Sequence, residues 1–472
     1  LLNMGIKYFF TWLKQHYKSC VNQNQPPNID HVLIDMNGLI HEAAQTIYQY
    51  GKYENKYPIP LPHLFTMIAP TIQHVGDHVV KQVNHIISLC RPSQSVVLAI
   101  DGVAPLSKQN QQRQRRFKSV VNNSNTHFDS NSITAGTPWM SQLVSYLKHS
   151  LPFCIWSTDQ EPGEGEHKLI IWIRNNHQHY PSHRYCVIGM DADLILLCLA
   201  LKAKHVWIMR PQQYSPQRFD IIHIEALKQK LPMPVPDFIV CLCLVGNDFL
   251  PSLPCLDIRE HVSIEGALDY LCHLYKNKPF NLASPEGYLN PFHLKQLFEL
   301  IAEREQSIMD ARYEEQCQQQ RYPNSLWRHD IQKYRIDYYT EKFNNEPKKD
   351  IIYAYMKTIQ WVLRYYMDGI PSWDWYYPYS FTLFASDFAQ HIPFITWFGF
   401  QPSEPCSLDN QLLRIIPVQS KTIVPPQLIP HLEKLAQQFT LFKIDVEGKR
   451  QEWEAVVVVD FINSNSLVTS LG

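Results

Sequence analysis

The sequence predicts an α/β fold with a mostly parallel central sheet flanked by helices. Four apolar runs have the length of strands, and their continuous apolar character is typical of strands buried on both faces. Each run also ends in aspartate. The runs are HVLID, ending at Asp35, SVVLAID, ending at Asp101, YCVIGMDAD, ending at Asp191 and Asp193, and DFIVCLCLVGND, ending at Asp248.

The strand-end aspartates predict a metal site. In an open α/β sheet the ligand lies outside the carboxyl ends of the strands, so we expect these five carboxylates to meet in one crevice. Acidic side chains at such short range repel one another unless cations hold them together. Hard divalent ions, Mg²⁺ or Mn²⁺, are the expected occupants.

Composition limits the class of protein. The 472 residues are 45% apolar and 18% charged, which allows two or three globular domains with a large core. No apolar run is long enough for a membrane span, and the start has no secretory pattern, so we expect a cytoplasmic protein. The 11 cysteines form no CxxC pair and are expected to be buried, reduced thiols. The net charge of −1 means that any nucleic-acid affinity must come from local basic patches.

The first segments of the chain contain helices and one candidate histidine. Residues 4–20 have the spacing of an amphipathic helix. The strand that ends at Asp35 is followed by a turn and a second helix, which carries His41. A lone histidine is usually structural, but its position six residues after a predicted metal ligand makes it a candidate for the site.

A basic run follows the second strand, after a helical pattern over residues 63–90. The run is KQNQQRQRRFK, and on a helix one of its faces carries Lys108, Gln112, Arg115 and Arg116. Three cations and an amide suit a phosphate group, which arginine can bind through two nitrogens. A solvated basic helix is the alternative. Because the run starts seven residues after Asp101, its first turn is expected near the carboxylates, which favours the phosphate site.

Two further acids come from the stretch EPGEGEHK. Glu164 and Glu166 stand at the predicted start of a helix, where carboxylates also suit the helix dipole. Helix capping is therefore the alternative role. The glycines on both sides of Glu164 indicate a close approach of backbone, which favours a metal site.

The second half of the chain predicts further regions. Residues 275–290 form a plausible boundary, and Pro291 to Tyr322 lack an interior proline or glycine and become strongly polar. This pattern predicts a long projecting helix, followed by an exposed connection at 343–350. We therefore expect a core at 4–290 with the metal site and phosphate pocket, the helix and connection at 291–350, and a second region at 351–472 that packs around the site.

Aromatic residues are dense from 351 to 400. Such density usually indicates core. Trp373 and Trp375, however, follow a turn at Gly369 and Pro371 that could present one ring for stacking on a nucleobase. The later stretch EWEAVVVVDFI predicts a strand or a short helix.

The chain resembles the Xrn family of 5′→3′ exoribonucleases. The resemblance runs in order through MGIKYFFTWL, IDMNGLIHEAA, AIDGVAPLSKQNQQRQRRFKS, EPGEGEHKLI, GMDADLILL, FIVCLCLVGNDFLPSLP and WVLRYYMDGIPSWDWYYPY. It covers nearly the whole chain and is strongest to the catalytic regions of the cytoplasmic member, without its carboxy-terminal modules. It implies a nuclease core similar to that of PIN domains and flap endonucleases.

The resemblance also implies roles for individual residues. The family's metal-binding acids correspond to Asp35, Asp101, Glu164, Glu166, Asp191, Asp193 and Asp248, and its 5′-monophosphate pocket to Lys108, Gln112, Arg115 and Arg116. His41 corresponds to a histidine that stacks on the first base, and Trp373 or Trp375 to a tryptophan that closes the site. The sequence departs from the family at Leu106, Ala135, Ser380 and Leu383, in place of arginine, proline, histidine and proline. These departures leave the acids intact.

The implied activity is processive 5′→3′ hydrolysis of single-stranded RNA that carries a 5′-monophosphate, releasing nucleoside 5′-monophosphates. Two Mg²⁺ or Mn²⁺ ions would serve as cofactors. Decapping factors are possible protein partners, and a viral protein in the host cytoplasm is a possible source. The alternatives are a flap endonuclease that cuts branched DNA and an inactive RNA-binding scaffold.

Overall fold

A computed structural model of the chain describes residues 6, 8–23, 28–51, 70–122, 128–212, 215–258, 265–319, 330–344, 346–449 and 454–471. The strands are β1 Val21–Asn22, β2 His31–Asp35, β3 Ser95–Ala99, β4 Ile155–Ser157, β5 Tyr185–Ile188, β6 Val206–Gln212, β7 Ser215–His223, β8 Phe442–Asp445 and β9 Val456–Val459. The helices are α1 Phe9–His16, α2 Met36–Tyr48, α3 Ile72–Cys90, α4 Leu106–Asn122, α5 Pro138–Ser150, α6 Gly165–His179, α7 Asp193–Leu199, α8 Ile224–Lys230, α9 Val235–Val245, α10 Ala267–Asn277, α11 Pro291–Ala302, α12 Glu305–Gln319, α13 Ile331–Phe343, α14 Lys348–Met367, α15 Ala385–His391, α16 Leu408–Ile415, α17 Ile429–Gln438 and α18 Ser464–Leu471.

The chain divides into two compact units, each built from separated segments. We call the first the sheet unit, which comprises Tyr17–Leu227, Glu404–Thr440 and Ile462–Gly472. We call the second the helical unit, which comprises Leu1–His16, Lys228–Ser403 and Leu441–Phe461. The three-part division made from the sequence stays a prediction.

The sheet unit contains a seven-stranded sheet in the order β1-β7-β6-β5-β2-β3-β4. Strands β2 to β6 run parallel, while β7 is antiparallel to both β6 and β1. The predicted mostly parallel sheet is therefore confirmed. Strands β3 and β4 lie on one side of β2. Strands β5 and β6 lie on its other side, so the order of addition reverses at β2. Such a switch point is where an open α/β sheet binds its ligand.

The strands form where the apolar runs predicted them, because both faces of the sheet are covered. His31 to Ile34 are buried in β2, and all four residues of β5 are buried. Helices α2, α3 and α5 pack into the apolar core on one face, with Leu39, Val79 and Leu143 among the contacts. This packing holds the carboxyl ends of β2, β3 and β5 at one edge.

The fourth predicted strand is wrong, because Val235–Val245 is a helix, α9. Pro236 stands in its first turn, where a missing N–H costs nothing. All of its residues from Pro236 to Val245 are buried, so it is apolar on every side. A buried helix and a buried strand give the same continuous apolar run, and the length of eleven residues is that of a helix.

The predicted single long helix after Pro291 is two helices, α11 and α12, separated at Glu303 and Arg304. Tertiary contacts explain the break. The Arg304 guanidinium lies 3.7 Å from the centre of the Tyr270 ring. Glu305 is buried and accepts hydrogen bonds from the backbone and hydroxyl of Ser386. The start of α12 is therefore part of the helical unit, and residues 320–322 lie outside the described residues.

The aromatic-rich segment builds the core of the helical unit, as aromatic density predicts. Trp361 and Tyr365 of α14 are fully buried and stack with ring centres 5.1 Å apart, and Phe249 packs 5.2 Å from each. The late apolar run forms β9, which pairs with β8. Helix α13 ends at Phe343 and α14 begins at Lys348, which agrees with the predicted connection. Nine of the 11 cysteines are buried thiols, among them Cys198, Cys241 and Cys243, whereas Cys406 is half-buried and Cys317 is exposed. Among the described helices, none combines the length and apolar character that spanning a membrane needs.

Candidate active site

Asp35 lies at the junction between β2 and α2, at the carboxyl edge of the sheet. It is the N-cap residue of α2, with extended φ and ψ angles, and its side chain accepts a hydrogen bond from the Asn37 backbone. The pairing of Asp35 with Ala99 keeps the ends of β2 and β3 level. Asp101, two residues after Ala99, therefore leaves the sheet beside Asp35.

Asp101 is held from two directions. The Asn37 side-chain amide donates to Asp101 Oδ2 over 2.7 Å, and the Asp101 backbone N–H donates to Asn37 Oδ1 over 3.0 Å. The Gly165 backbone N–H donates to Asp101 Oδ1 over 2.6 Å. Asp101 therefore joins the start of α2 to the start of α6.

Gly165 is the point of closest approach predicted from the glycines around Glu164. A Cβ atom added at Gly165 would stand 2.8 Å from Asp35 Oδ1 and 3.4 Å from Asp101 Oδ1. No other residue fits there without moving a carboxylate. The N-terminus of α6 and its partial positive charge thus face the first two acids.

Glu164 and Glu166 come with the start of α6. Glu164 is the N-cap residue of α6, yet its side chain makes no capping hydrogen bond, so helix capping does not account for it. Its Oε1 atom instead lies 3.1 Å from the ammonium nitrogen of Lys108. Both oxygens of Glu166 are buried and have no hydrogen-bond partner within the described part of the chain.

Asp191 and Asp193 follow β5, the other neighbour of β2. Both are buried, and the Asp193 backbone N–H donates to Asp191 Oδ1 over 3.3 Å. Asp193 Oδ2 lies 3.4 Å from the Lys108 ammonium nitrogen. Lys108 therefore contacts acids that arrive from two different elements.

The carboxylates disfavour one another's charged forms. Burial, followed by repulsion from Asp101, raises the pKa of Asp35 well above its usual value. Burial and repulsion from Asp191 likewise raise the pKa of Glu166, although Lys108 opposes this shift. In the described residues, no three acidic, histidine or cysteine side chains converge closely enough to form a finished metal site. The buried, unpartnered Glu166 oxygens nevertheless fit a cation ligand, because burying a charge without a partner is costly.

The basic run forms α4, as its spacing predicts. Lys108 and Gln112 are buried, which a solvated basic helix would not show, and Gln112 Oε1 has no hydrogen-bond partner among the residues described. Arg116 donates to Thr134 Oγ1 from two nitrogens, and burial followed by repulsion from Arg115 lowers its pKa to about 9. Arg115 itself is exposed.

His41 lies on α2 and is half-buried. Burial, with repulsion from Arg115 second, lowers its pKa to about 3. The imidazole is therefore neutral at physiological pH. A neutral ring beside the arginines of α4 remains compatible with the predicted stacking role, which stays a prediction.

Two supporting residues of this site were not singled out from the sequence, Asn37 and Lys168. Lys168 is buried on α6, and its ammonium donates to the Ile100 and Thr158 carbonyls over 2.8 and 2.7 Å. It ties α6 to the segments that follow β3 and β4. Burial lowers its pKa to about 8. A lysine inside EPGEGEHK and an asparagine two residues after a strand-end aspartate were the available signals.

The remaining predicted residues belong to the helical unit. Asp248 follows α9 and Gly246, which has a positive φ of 97°. The Trp375 indole N–H donates to Thr358 Oγ1 over 3.1 Å, while the Trp373 backbone N–H donates to Ser403 Oγ over 2.8 Å. Both tryptophans are half-buried. Their part in the site stays a prediction, as does that of Asp248.

Family models match almost the whole chain. A model described as "XRN 5′-3′ exonuclease N-terminus" matches residues 4–212. A second, described as "Xrn1 helical domain", matches residues 230–331 and 325–472, half of the chain. The chain belongs to the Xrn family. The predicted family is thus confirmed.

Relatives of this Xrn chain include 5′-3′ exoribonuclease 1 of Homo sapiens, with 27% identity, and of Schizosaccharomyces pombe, with 24%. Each match covers 99% of this chain but only 34% and 48% of the respective relative. The chain therefore spans a third to a half of these relatives. The 5′-3′ exoribonuclease 2 of Gallus gallus is 25% identical, with 99% of this chain and 70% of the relative covered.

Solved structures to which the chain shows similarity include the catalytic core of Rad2 in complex with DNA substrate. It has a TM-score of 0.38 and 12% identity, with 85% of this chain and 94% of that chain covered. Flap endonuclease-1 from Methanococcus jannaschii has a TM-score of 0.32 and 14% identity, with 55% and 78% covered.

Proposed function

We propose that this Xrn chain is a processive 5′→3′ exoribonuclease acting on single-stranded RNA with a 5′-monophosphate. The observation that carries the proposal is the position of Lys108. It belongs to the basic face of α4, and its ammonium contacts Glu164 and Asp193 of the acidic edge. If the basic face binds the terminal phosphate, the first phosphodiester bond lies beside the carboxylates that suit metal ions. Cleavage there would release one nucleotide from the 5′ end.

The acids fit two Mg²⁺ or Mn²⁺ ions. The proposed ligands are Asp35, Asp101, Glu164, Glu166, Asp191 and Asp193, with Asp248 as a further one. Hydrogen bonds from Asn37 and Gly165 position the Asp101 carboxylate. When bound, such ions activate water and neutralise charge on the scissile phosphate. The carboxylates orient the attacking water, and burial excludes bulk water from the reaction.

Recognition of the 5′ end is proposed for α4 and its neighbours. Gln112, Arg115 and Arg116 would bind the terminal phosphate together with Lys108, and arginine favours this through paired nitrogens. His41 and one of Trp373 and Trp375 would stack on terminal bases. Stacking accepts every base, so cleavage would be independent of sequence and limited to single strands. Decapping factors, which create 5′-monophosphate ends, are proposed partners, and the cytoplasm is the proposed location.

One RNA in three forms tests the function. The protein is incubated with Mg²⁺ and the RNA bearing a 5′-monophosphate, 5′-hydroxyl or 5′-triphosphate, with EDTA as control. We expect loss of the monophosphate form alone, to mononucleotides. Internal fragments from all three forms would contradict the phosphate pocket and favour an endonuclease.

A double variant tests the acidic edge itself. Asp191→Ala with Asp193→Ala should abolish cleavage, because both carboxylates are proposed ion ligands. Far-UV circular dichroism and thermal unfolding establish that the variant folds. Full activity in a folded variant would refute the assignment of the metal site.

A further inference from the structure

One face of the helical unit combines two half-buried cations with two exposed aromatic rings. Lys357 and Arg364 are seven residues apart on α14 and lie on the same side of the helix. Beside them are Trp397, with 38% of its surface exposed, and Tyr288, with 50%. We call these four residues the cation–aromatic face.

An extended segment lies along α14 and positions these rings. Gln360, between the two cations on α14, accepts a hydrogen bond from the Phe398 backbone N–H over 2.7 Å and donates to the Phe398 carbonyl over 3.3 Å. The segment is therefore docked on the helix by its backbone. Trp397 then meets Arg364, and Phe400 meets Lys357.

The Arg364 end of the face is built from three elements. The Arg364 guanidinium lies 5.0 Å from the centre of the Trp397 ring, and the centres of the Trp397 and Tyr288 rings are 4.6 Å apart. Leu289 donates its backbone N–H to the Thr396 carbonyl over 2.9 Å, which joins the two aromatic segments. Gly287 has a φ of +91°, and a Cβ there would stand 2.7 Å from Arg364 Cγ. Only glycine therefore leaves room for the Arg364 side chain to pass over this position.

No acid in the described part of the chain neutralises the cations of the face. Within the described residues, neither Arg364 nor Lys357 forms an ion pair, and the Arg364 Nε atom is buried without a hydrogen-bond partner. The Lys357 ammonium lies 4.3 Å from the centre of the Trp375 ring. Glu286, the acid nearest to Tyr288 in sequence, is hydrogen-bonded to Ser284.

We propose that the cation–aromatic face binds a stretch of single-stranded RNA, with Arg364 and Lys357 on phosphates and Trp397 and Tyr288 against bases. Aromatic rings interleaved with unpaired cations are the composition of surfaces that bind single strands without sequence preference. A proline-rich peptide also docks on exposed aromatic rings, but it offers no anion for the two cations. In identifying the ligand as RNA, the proposal rests on the proposed function. It adds a binding surface outside the acids and α4.

Binding measurements on the whole chain test the face. The probe is an unstructured RNA with a 5′-hydroxyl, in EDTA, so that neither cleavage nor a terminal phosphate contributes. Fluorescence anisotropy gives the Kd over a range of salt concentrations. Trp397→Ala and Tyr288→Ala should each raise the Kd about tenfold and leave its salt dependence unchanged, since each removes one stacking ring.

The cations give a different signature. Lys357→Gln with Arg364→Gln should raise the Kd and reduce the slope of log K against log salt by about 1.4, or about 0.7 for each phosphate that the protein no longer neutralises. Lys276→Gln, which removes an exposed cation from α10, is the matched control and should leave the Kd unchanged. Trp397→Phe should restore binding, because it keeps a ring.

Specific outcomes would overturn the inference. One is unchanged RNA affinity in folded Trp397→Ala and Lys357→Gln/Arg364→Gln proteins, with thermal unfolding as the check of folding. Another is competition by a neutral proline-rich peptide together with an unchanged salt slope. The unmutated protein with Mg²⁺ and 5′-monophosphate RNA tests the proposed function separately. Cleavage without any effect of the variants on binding refutes only this face, and weakened binding in the variants without cleavage by the unmutated protein refutes only the nuclease.

Discussion

Asn37 and Asp101 are joined by two reciprocal hydrogen bonds, amide to carboxylate over 2.7 Å and backbone N–H to amide oxygen over 3.0 Å. The pair connects the second residue of α2 to the second residue after β3. One side chain thus sets the relative position of two strand ends that carry acids.

Asn37→Ala is expected to lower kcat about a hundredfold, since a displacement of about 1 Å in a catalytic group has that effect. Loss of two hydrogen bonds, one to a charged group, should lower the free energy of unfolding by about 2 kcal/mol. The Mg²⁺ concentration for half-maximal activity should rise. Thr46→Ala, on the same helix, is the control, because Thr46 Oγ1 donates to the Glu42 carbonyl and to no other group among the described residues. An unchanged kcat and Mg²⁺ requirement would contradict this role.

Glu166→Gln is expected to abolish cleavage and yet stabilise the metal-free protein. Glu166 is buried, its oxygens have no hydrogen-bond partner in the described structure, and Asp191 repels it. Removing that charge should raise the free energy of unfolding in EDTA by about 1 kcal/mol. Urea unfolding with and without Mg²⁺ measures the effect, and Mg²⁺ should stabilise the wild type more than the variant. If the variant were less stable in both conditions, the Glu166 carboxylate would not be destabilising in the metal-free protein, and the prediction would be wrong.

Lys108 and Arg115 share a helix face but differ in their surroundings. Lys108→Gln leaves Glu164 and Asp193 without their common cation, which should cost about 3 kcal/mol in unfolding free energy as well as activity. Arg115→Gln removes an exposed cation, so we expect a higher KM for 5′-monophosphate RNA with the same unfolding midpoint. Steady-state kinetics and thermal unfolding of both variants separate the effects. Equal stability loss in both would contradict the assignment.

The lowered pKa of His31 predicts that the protein loses stability in acid. His31 is buried, its Nδ1 lies 2.8 Å from Ser95 Oγ, and its Nε2 lies 2.8 Å from His183 Nδ1. Burial, with repulsion from His183 second, lowers its pKa to about 4. The unfolded chain, with the usual value near 6.5, therefore binds the proton more readily, and stability falls as the pH drops from about 6.5 to about 4.

We expect an effect of about 2 kcal/mol, which urea unfolding across that pH range would measure. In His31→Gln, the part of the pH dependence that is due to His31 should disappear. His179→Gln, which changes a histidine at the exposed end of α6, is the control and should keep it. A wild-type stability that is constant from pH 6.5 to pH 4.5 would exclude the shifted pKa.

Much of the sheet unit was predictable from local pattern. The strands before Asp35, Asp101 and Asp191 are short apolar runs followed by acids, and parallel strands bring their carboxyl ends to one edge. The i, i+4, i+7, i+8 spacing placed Lys108 and Arg116 on one helix. These inferences needed no distant contact.

Other features escaped prediction because they depend on partners remote in sequence. Val235–Val245 has an apolar run compatible with strand or helix, and complete burial made it a helix. The break between α11 and α12 depends on Tyr270 and Ser386, which no local pattern near Arg304 reveals.

The sequence by itself determined the class of fold, the positions of the acids at the strand ends and the family. Tertiary structure alone decided which groups those acids meet: Asn37 for Asp101, Lys108 for Glu164 and Asp193, and no described partner for the oxygens of Glu166. The physical reason is range. Periodicity records how each element buries its own face, whereas hydrogen bonds and ion pairs depend on side chains that only the packed sheet and helices bring within about 3 Å.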